Sequence, residues 1–141
     1  MQIAGRPAVA VAAFVVLAQQ LLATIVALVA NLPSQFGEAG DDAVGEFVSR
    51  GTAISAPVLP LLLLAASAAL ALRQDRWGVF GTVGICALSA LFVVGALGEA
   101  VAEPTPDISK TVLVTSGVVG AALGVVLFSL GVLELRRRRR R

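Results

Sequence analysis

Four stretches of the chain carry no charged residue, at 8–30, 52–72, 77–98 and 111–133. Crossing about 30 Å of hydrocarbon at 1.5 Å per residue takes about 20 helical residues, and each stretch is that long. A membrane strand needs only about 9–11 residues of alternating polarity. These runs do not alternate. Lipid offers the backbone no hydrogen bonds, so a chain crossing it must satisfy its own, as a helix does. The expectation is an all-α fold: a single transmembrane domain over 1–141, built as an integral membrane four-helix bundle that threads up-down-up-down.

Composition supports this reading. Charged residues make up 14 %, where a soluble domain has about 25 %, and the hydrophobic set is 57 %. A soluble fold of this length has too little interior to hide so much apolar surface. The run at 8–30 follows Arg6 and could be read as a signal peptide. It exceeds the usual 7–15-residue hydrophobic region, so an uncleaved helix is expected.

The basic residues set an orientation. With the N-terminus inside, the inner segments hold Arg6, Arg73, Arg76 and 136–141, against only Asp75 and Glu134. The outer loops hold Arg50 and Lys110 against Glu38, Asp41, Asp42, Glu46, Glu99, Glu103 and Asp107. Lys/Arg bias in short loops fixes topology, so both termini are expected on the cytoplasmic side of a cell (inner) membrane. Arg73-Gln74-Asp75-Arg76 reads as a tight turn, with Trp77 as an interfacial anchor. In the outer loop 31–51, Phe36, Ala43, Val44, Phe47 and Val48 fall on one helical arc. A short amphipathic helix capping the bundle is expected there.

Chemistry-bearing residues are sparse. Histidine is absent and cysteine occurs once, as Cys86, which removes the commonest general base and metal ligand and any paired-thiol site. No catalytic group, cofactor or metal is assigned, and a non-enzymatic role is expected. In the first stretch Gln20, Thr24 and Asn31 share one helical face, flanked by Gln19. That face must point into the bundle. It serves either for hydrogen bonding between helices or, in the sharper reading, as a solute path open to the outside.

Gly117, Gly120 and Gly124 line one side of the fourth stretch, and Gly81 and Gly84 the third. Small residues so spaced let two backbones approach, within the monomer or across a homo-oligomer seam. Pro57 and Pro60 are expected to kink the outer part of the second helix. Cys86 reads as a small apolar filler. Glu99, at the outer end of the third stretch, is expected to reach outer water; held inside, it would be placed to carry a proton or cation. Arg136, Arg137, Arg138, Arg139, Arg140 and Arg141 form a basic cytoplasmic tail, suited to anionic lipid head groups at about 1 kcal/mol each. Nucleic acid is not an expected partner, since no folded or aromatic surface accompanies the arginines.

In layout and residue style the whole chain resembles the small four-span membrane proteins common in actinobacteria. The resemblance lies in hydropathy alone and implies no activity and no site residue. Two functional classes follow from the residues. One is a non-catalytic structural or accessory protein packing against a membrane-protein partner or itself. The other is a small channel or solute carrier with its polar path along helix one. A polar-lined cavity would favour the carrier, and a dry core with an external small-residue face the interaction protein.

Overall fold

The computed structural model describes residues 7–34, 42–104 and 108–140. These residues form five helices: α1 Ala8–Val29, α2 Ala43–Phe47, α3 Val58–Ala71, α4 Arg76–Val101 and α5 Lys110–Arg139. Among them there is no sheet; isolated bridges join Thr52 to Pro33 and to Ser55. Helices α1, α4 and α5 are each long and apolar enough to cross a membrane, and α3 is a shorter apolar helix.

Local chemistry sets the helix ends. Asp75 starts α4 by accepting a hydrogen bond from the Trp77 N–H at 3.0 Å. Ser109 does the same for α5 through the Val112 N–H, at 3.3 Å. Helix α1 ends in a left-handed residue, Asn31, with φ 48°. The Leu32 N–H returns to the Ala27 carbonyl at 2.8 Å and the Asn31 N–H to that of Leu28 at 3.4 Å. This is the Schellman arrangement, and asparagine tolerates the left-handed position better than most residues.

Three expected elements differ from those observed. The second apolar stretch is helical only from Val58, not from residue 52, and its 14 residues reach about 21 Å. Pro57 is the residue preceding the helix and Pro60 lies in its first turn, where a missing N–H removes no bond. The prolines therefore begin α3 instead of kinking it. At the other end, α5 runs through Arg139, so most of the basic segment extends a helix where a tail over 136–141 was expected. The outer-loop helix is a single short element, α2, and its apolar arc is split. Ala43 is buried and Phe47 half-buried, while Val44 and Val48 are exposed. Phe36 lies outside the described residues.

Packing follows chain order. Helix α4 packs most extensively on α5 and then on α3, and α1 lies against α3 and α5 while barely touching α4. Side chains such as Val9, Ala13, Leu64, Ala68, Ile85 and Leu127 form a continuous apolar core that runs from Ala71 at the basic end toward Phe47 and Ala56. A smaller cluster of Ala53, Ile108 and Leu113 closes the opposite, loop end. Much of the apolar surface nevertheless faces outward, including Leu22 and Ile25 of α1 and Val125 and Val126 of α5. Exposed apolar area on this scale needs a cover, and a bilayer supplies it.

Candidate functional site

Polar side chains gather where the second apolar stretch is not helical. Gly51 turns the chain with φ +86°, and a Cβ there would come within 2.6 Å of the Ser55 carbonyl oxygen. Only glycine combines that conformation with that clearance. Thr52 then closes a tight loop: its N–H donates to the Ser55 carbonyl at 3.0 Å, and its hydroxyl accepts from the Ser55 N–H at 3.1 Å. Irregular backbone at membrane depth is tolerated only when protein or a cavity surrounds it. Here α1 supplies the surroundings.

The face predicted on α1 makes these contacts. The Gln20 Oε1 accepts from the Ala56 N–H at 2.9 Å, and Gln20 Nε2 donates to Gln19 Oε1 at 3.0 Å. The Thr24 hydroxyl sits 3.0 Å from Ser55 Oγ and 2.8 Å from the Gln20 carbonyl oxygen. Ser55 Oγ lies in turn 2.8 Å from Thr52 Oγ1. Asn31 is spent elsewhere, its Oδ1 accepting from the Ala43 N–H at 3.0 Å at the start of α2. Gln20 and Thr24 therefore share a face of α1, whereas Asn31 lies beyond the helix end and does not continue it.

Beside this network lies a cavity of about 340 Å³. One wall is the loop with Thr52, Ile54 and Ser55. The facing wall is α4, which presents Leu91, Gly95 and Glu99 at i, i+4 and i+8 on one stripe. Ser49 and Arg50 form part of its lining at the loop end, and Arg50 pairs with Glu46 at 3.1 Å. Glu99 was expected to reach outer water; it is instead only 9 % exposed. The Ser34 hydroxyl donates to Glu99 Oε1 at 2.7 Å, and such a bond holds a carboxylate inside protein.

The glycine faces point inward. A Cβ on Gly117 would strike Ala100 and the Ala96 carbonyl, and one on Gly124 would lie 2.6 Å from Val93 Cγ2 and 3.1 Å from the Ser89 carbonyl oxygen. Gly120 faces Ala96 at 3.1 Å, while Gly81 meets the backbone of α3 at Ser67 and Leu70 and Gly84 meets Ser67. Gly117, Gly120 and Gly124 thus face α4 of the same chain and Gly81 and Gly84 face α3, so a homo-oligomer seam has to use another surface. Cys86 also fits its small-filler reading by position, with Sγ against the would-be Cβ of Gly131.

The arginines divide. Arg138 turns back onto the bundle, donating to the carbonyls of Ala71 at 2.8 Å and Arg73 at 2.9 Å and pairing with Glu134 at 2.8 Å. It thereby satisfies the open carbonyl of Ala71 at the end of α3 and that of Arg73 just beyond it. Arg136, Arg137, Arg139 and Arg140 are exposed, and Arg141 lies outside the described residues. Across the same end, Arg73 donates to Asp75 at 2.8 Å. That hydrogen bond is the main reason the Asp75 carboxyl is held below its ordinary range.

The cavity, Gly95 and the burial of Glu99 were not foreseen. A signal for the loop existed in Gly51, Thr52 and Ser55 ahead of Pro57, a turn followed by a proline-started helix. Among the described residues no group of three or more Asp, Glu or Cys side chains is placed to hold a metal ion. Comparison with protein-family models, with curated proteins and with solved structures finds no match. What fold and site define is a class, a multi-pass helical membrane protein.

Proposed function

We propose that the chain crosses a cell membrane four times, up-down-up-down, with both termini cytoplasmic, and serves as a non-catalytic accessory protein. The loop 51–57 completes the crossing that α3 is too short to make alone. The basic end lies in the cytoplasm, where the exposed arginines of α5 meet anionic head groups.

The observation carrying the non-conducting part is the continuous apolar core that runs from the basic end. A solute entering the cavity from outside meets packed Leu, Ala and Ile side chains, and the polar groups of α1 are engaged with the loop. The second reading, a solute carrier, is favoured by the cavity itself and by a span broken at mid-depth, as in transporters with discontinuous helices.

Two measurements on the tagged full chain decide between them. Purification from native membranes in mild detergent, with mass spectrometry, should retain a stoichiometric membrane-protein partner. Reconstituted vesicles should remain as tight to ions and small solutes as empty ones. Solute flux that Gln20→Leu abolishes would overturn the accessory reading in favour of the carrier.

A further inference from the structure

Gly95 differs from seven other glycines of α4 and α5. A Cβ added at Gly78, Gly81, Gly84, Gly117, Gly120, Gly124 or Gly131 would meet a neighbour closer than about 3.4 Å, whereas one at Gly95 would meet nothing within 4 Å. A glycine inside a helix costs about 1 kcal/mol relative to alanine. No packing neighbour accounts for it here, and its open side lies in the lining of the cavity.

The cavity also opens along the exposed apolar side of α4. Leu91 and Val94 line it and are 53 % and 60 % exposed, on a helix flanked by apolar surface. Its lining is mostly apolar, with Ile54, Pro57, Pro60 and Phe92; Gln20, Ser55, Glu99 and Ser116 also line it, and Ser49, Arg50 and Thr52 lie at the loop end. A volume near 340 Å³ falls at the low end of the range, about 300–1,000 Å³, of pockets that take small organic ligands.

We infer that this cavity is a binding site for one acyl chain of a bilayer phospholipid, which enters sideways past Leu91 and Val94 with Gly95 keeping the slot open. An apolar slot reached from hydrocarbon takes a hydrocarbon chain at little desolvation cost. The exposed Ser49 hydroxyl and the Arg50–Glu46 ion pair beside it give a zwitterionic head group both donors and acceptors. The site requires that the chain be embedded in a bilayer but does not depend on the accessory reading.

The test uses the full chain in phosphatidylcholine vesicles containing a phosphatidylcholine with a diazirine midway along one acyl chain. After irradiation the labelled residues are mapped by mass spectrometry. Labelling at 53–60 and 91–95 should exceed that at the more exposed 118–126 segment of α5. Gly95→Leu should reduce it to the α5 level, while Val118→Leu changes nothing. Leu91→Ala, which widens the slot, should raise it and decides the matter if Gly95→Leu fails to fold. Labelling that is uniform over all lipid-facing segments, or unaffected by both cavity variants, would overturn the assignment. Preferential labelling of the same residues by a diazirine palmitic acid would overturn the phospholipid as occupant in favour of a free fatty acid. Neither result bears on vesicle tightness, so the accessory reading stands or falls separately.

Discussion

The side-chain oxygen of Gln20 accepts the backbone N–H of Ala56 at 2.9 Å, across 36 residues of chain. A polar residue in the middle of an apolar helix is thereby matched to a backbone donor that no helix satisfies. Each explains the other. The non-helical segment before α3 needs an acceptor here, and the glutamine needs a donor.

Removing that acceptor should therefore be costly. In Gln20→Leu the Ala56 N–H loses its partner, and an unsatisfied buried donor costs about 1–3 kcal/mol. Thr24→Val should cost less, near the ~0.6 kcal/mol average for hydrogen bonds between membrane helices. Reversible unfolding in detergent–lipid mixtures checks both. Equal stability of wild type and Gln20→Leu would show that water or another group already serves Ala56.

Glycines on α4 and α5 should respond in opposite directions. Gly124→Leu forces atoms onto Val93 and the Ser89 carbonyl, and overpacking of this kind costs about 1–3 kcal/mol. Gly95→Ala meets nothing and should stabilise by up to about 1 kcal/mol through helix propensity alone. Thermal unfolding of the two variants, read by helix circular dichroism, reports the sign of each.

Neighbouring arginines should likewise separate. Arg138→Ala strips donors from the carbonyls of Ala71 and Arg73 and leaves Glu134 without this cation, so bundle stability should fall by about 1.5–3 kcal/mol, the usual range for hydrogen bonds to charged groups. Arg139→Ala should leave stability within about 0.5 kcal/mol yet weaken attachment of anionic lipid by about 1 kcal/mol. Unfolding measurements combined with titration of phosphatidylserine-containing nanodiscs distinguish the two effects.

The Arg73–Asp75 turn sets one pH dependence. The Asp75 carboxyl is depressed first by its hydrogen bond from Arg73, so its folded value lies below the unfolded one. Its contribution is then present above the unfolded value, 3.8, and is lost as pH falls through the folded value. Carbon-detected NMR titration should show Asp75 protonating below a free aspartate, and Arg73→Ala should move it back toward 3.8. An unchanged midpoint would remove Arg73 as the cause.

The sequence disclosed the parts of the fold that hydropathy alone determines. Four apolar stretches appear as α1, α3, α4 and α5, and the turn before Trp77 is where the basic tetrapeptide placed it. It also disclosed that Gln20 and Thr24 must face inward, because lipid cannot satisfy them. What it concealed depends on three-dimensional neighbours. A charge-free run is equally compatible with a full helix and with a loop wrapped by protein, so 52–57 read as helix. Glu99 at a helix end reads as solvated unless one knows that Ser34, 65 residues away, folds over it. Gly95 and Gly124 look alike in sequence and differ only in what faces them. Arg138 sits among identical arginines, and only the helical register of α5 aims it at the end of α3.

The most direct test of the account is cysteine accessibility on intact cells expressing the full chain in a Cys86→Ala background. Single cysteines at Ser49, Gln74 and Arg139 are treated with a membrane-impermeant maleimide before and after the membrane is opened. The account predicts that Ser49→Cys reacts from outside, while Gln74→Cys and Arg139→Cys react only once the cytoplasm is exposed. Reaction of Gln74→Cys or Arg139→Cys on sealed cells would contradict the four-crossing topology with both ends inside.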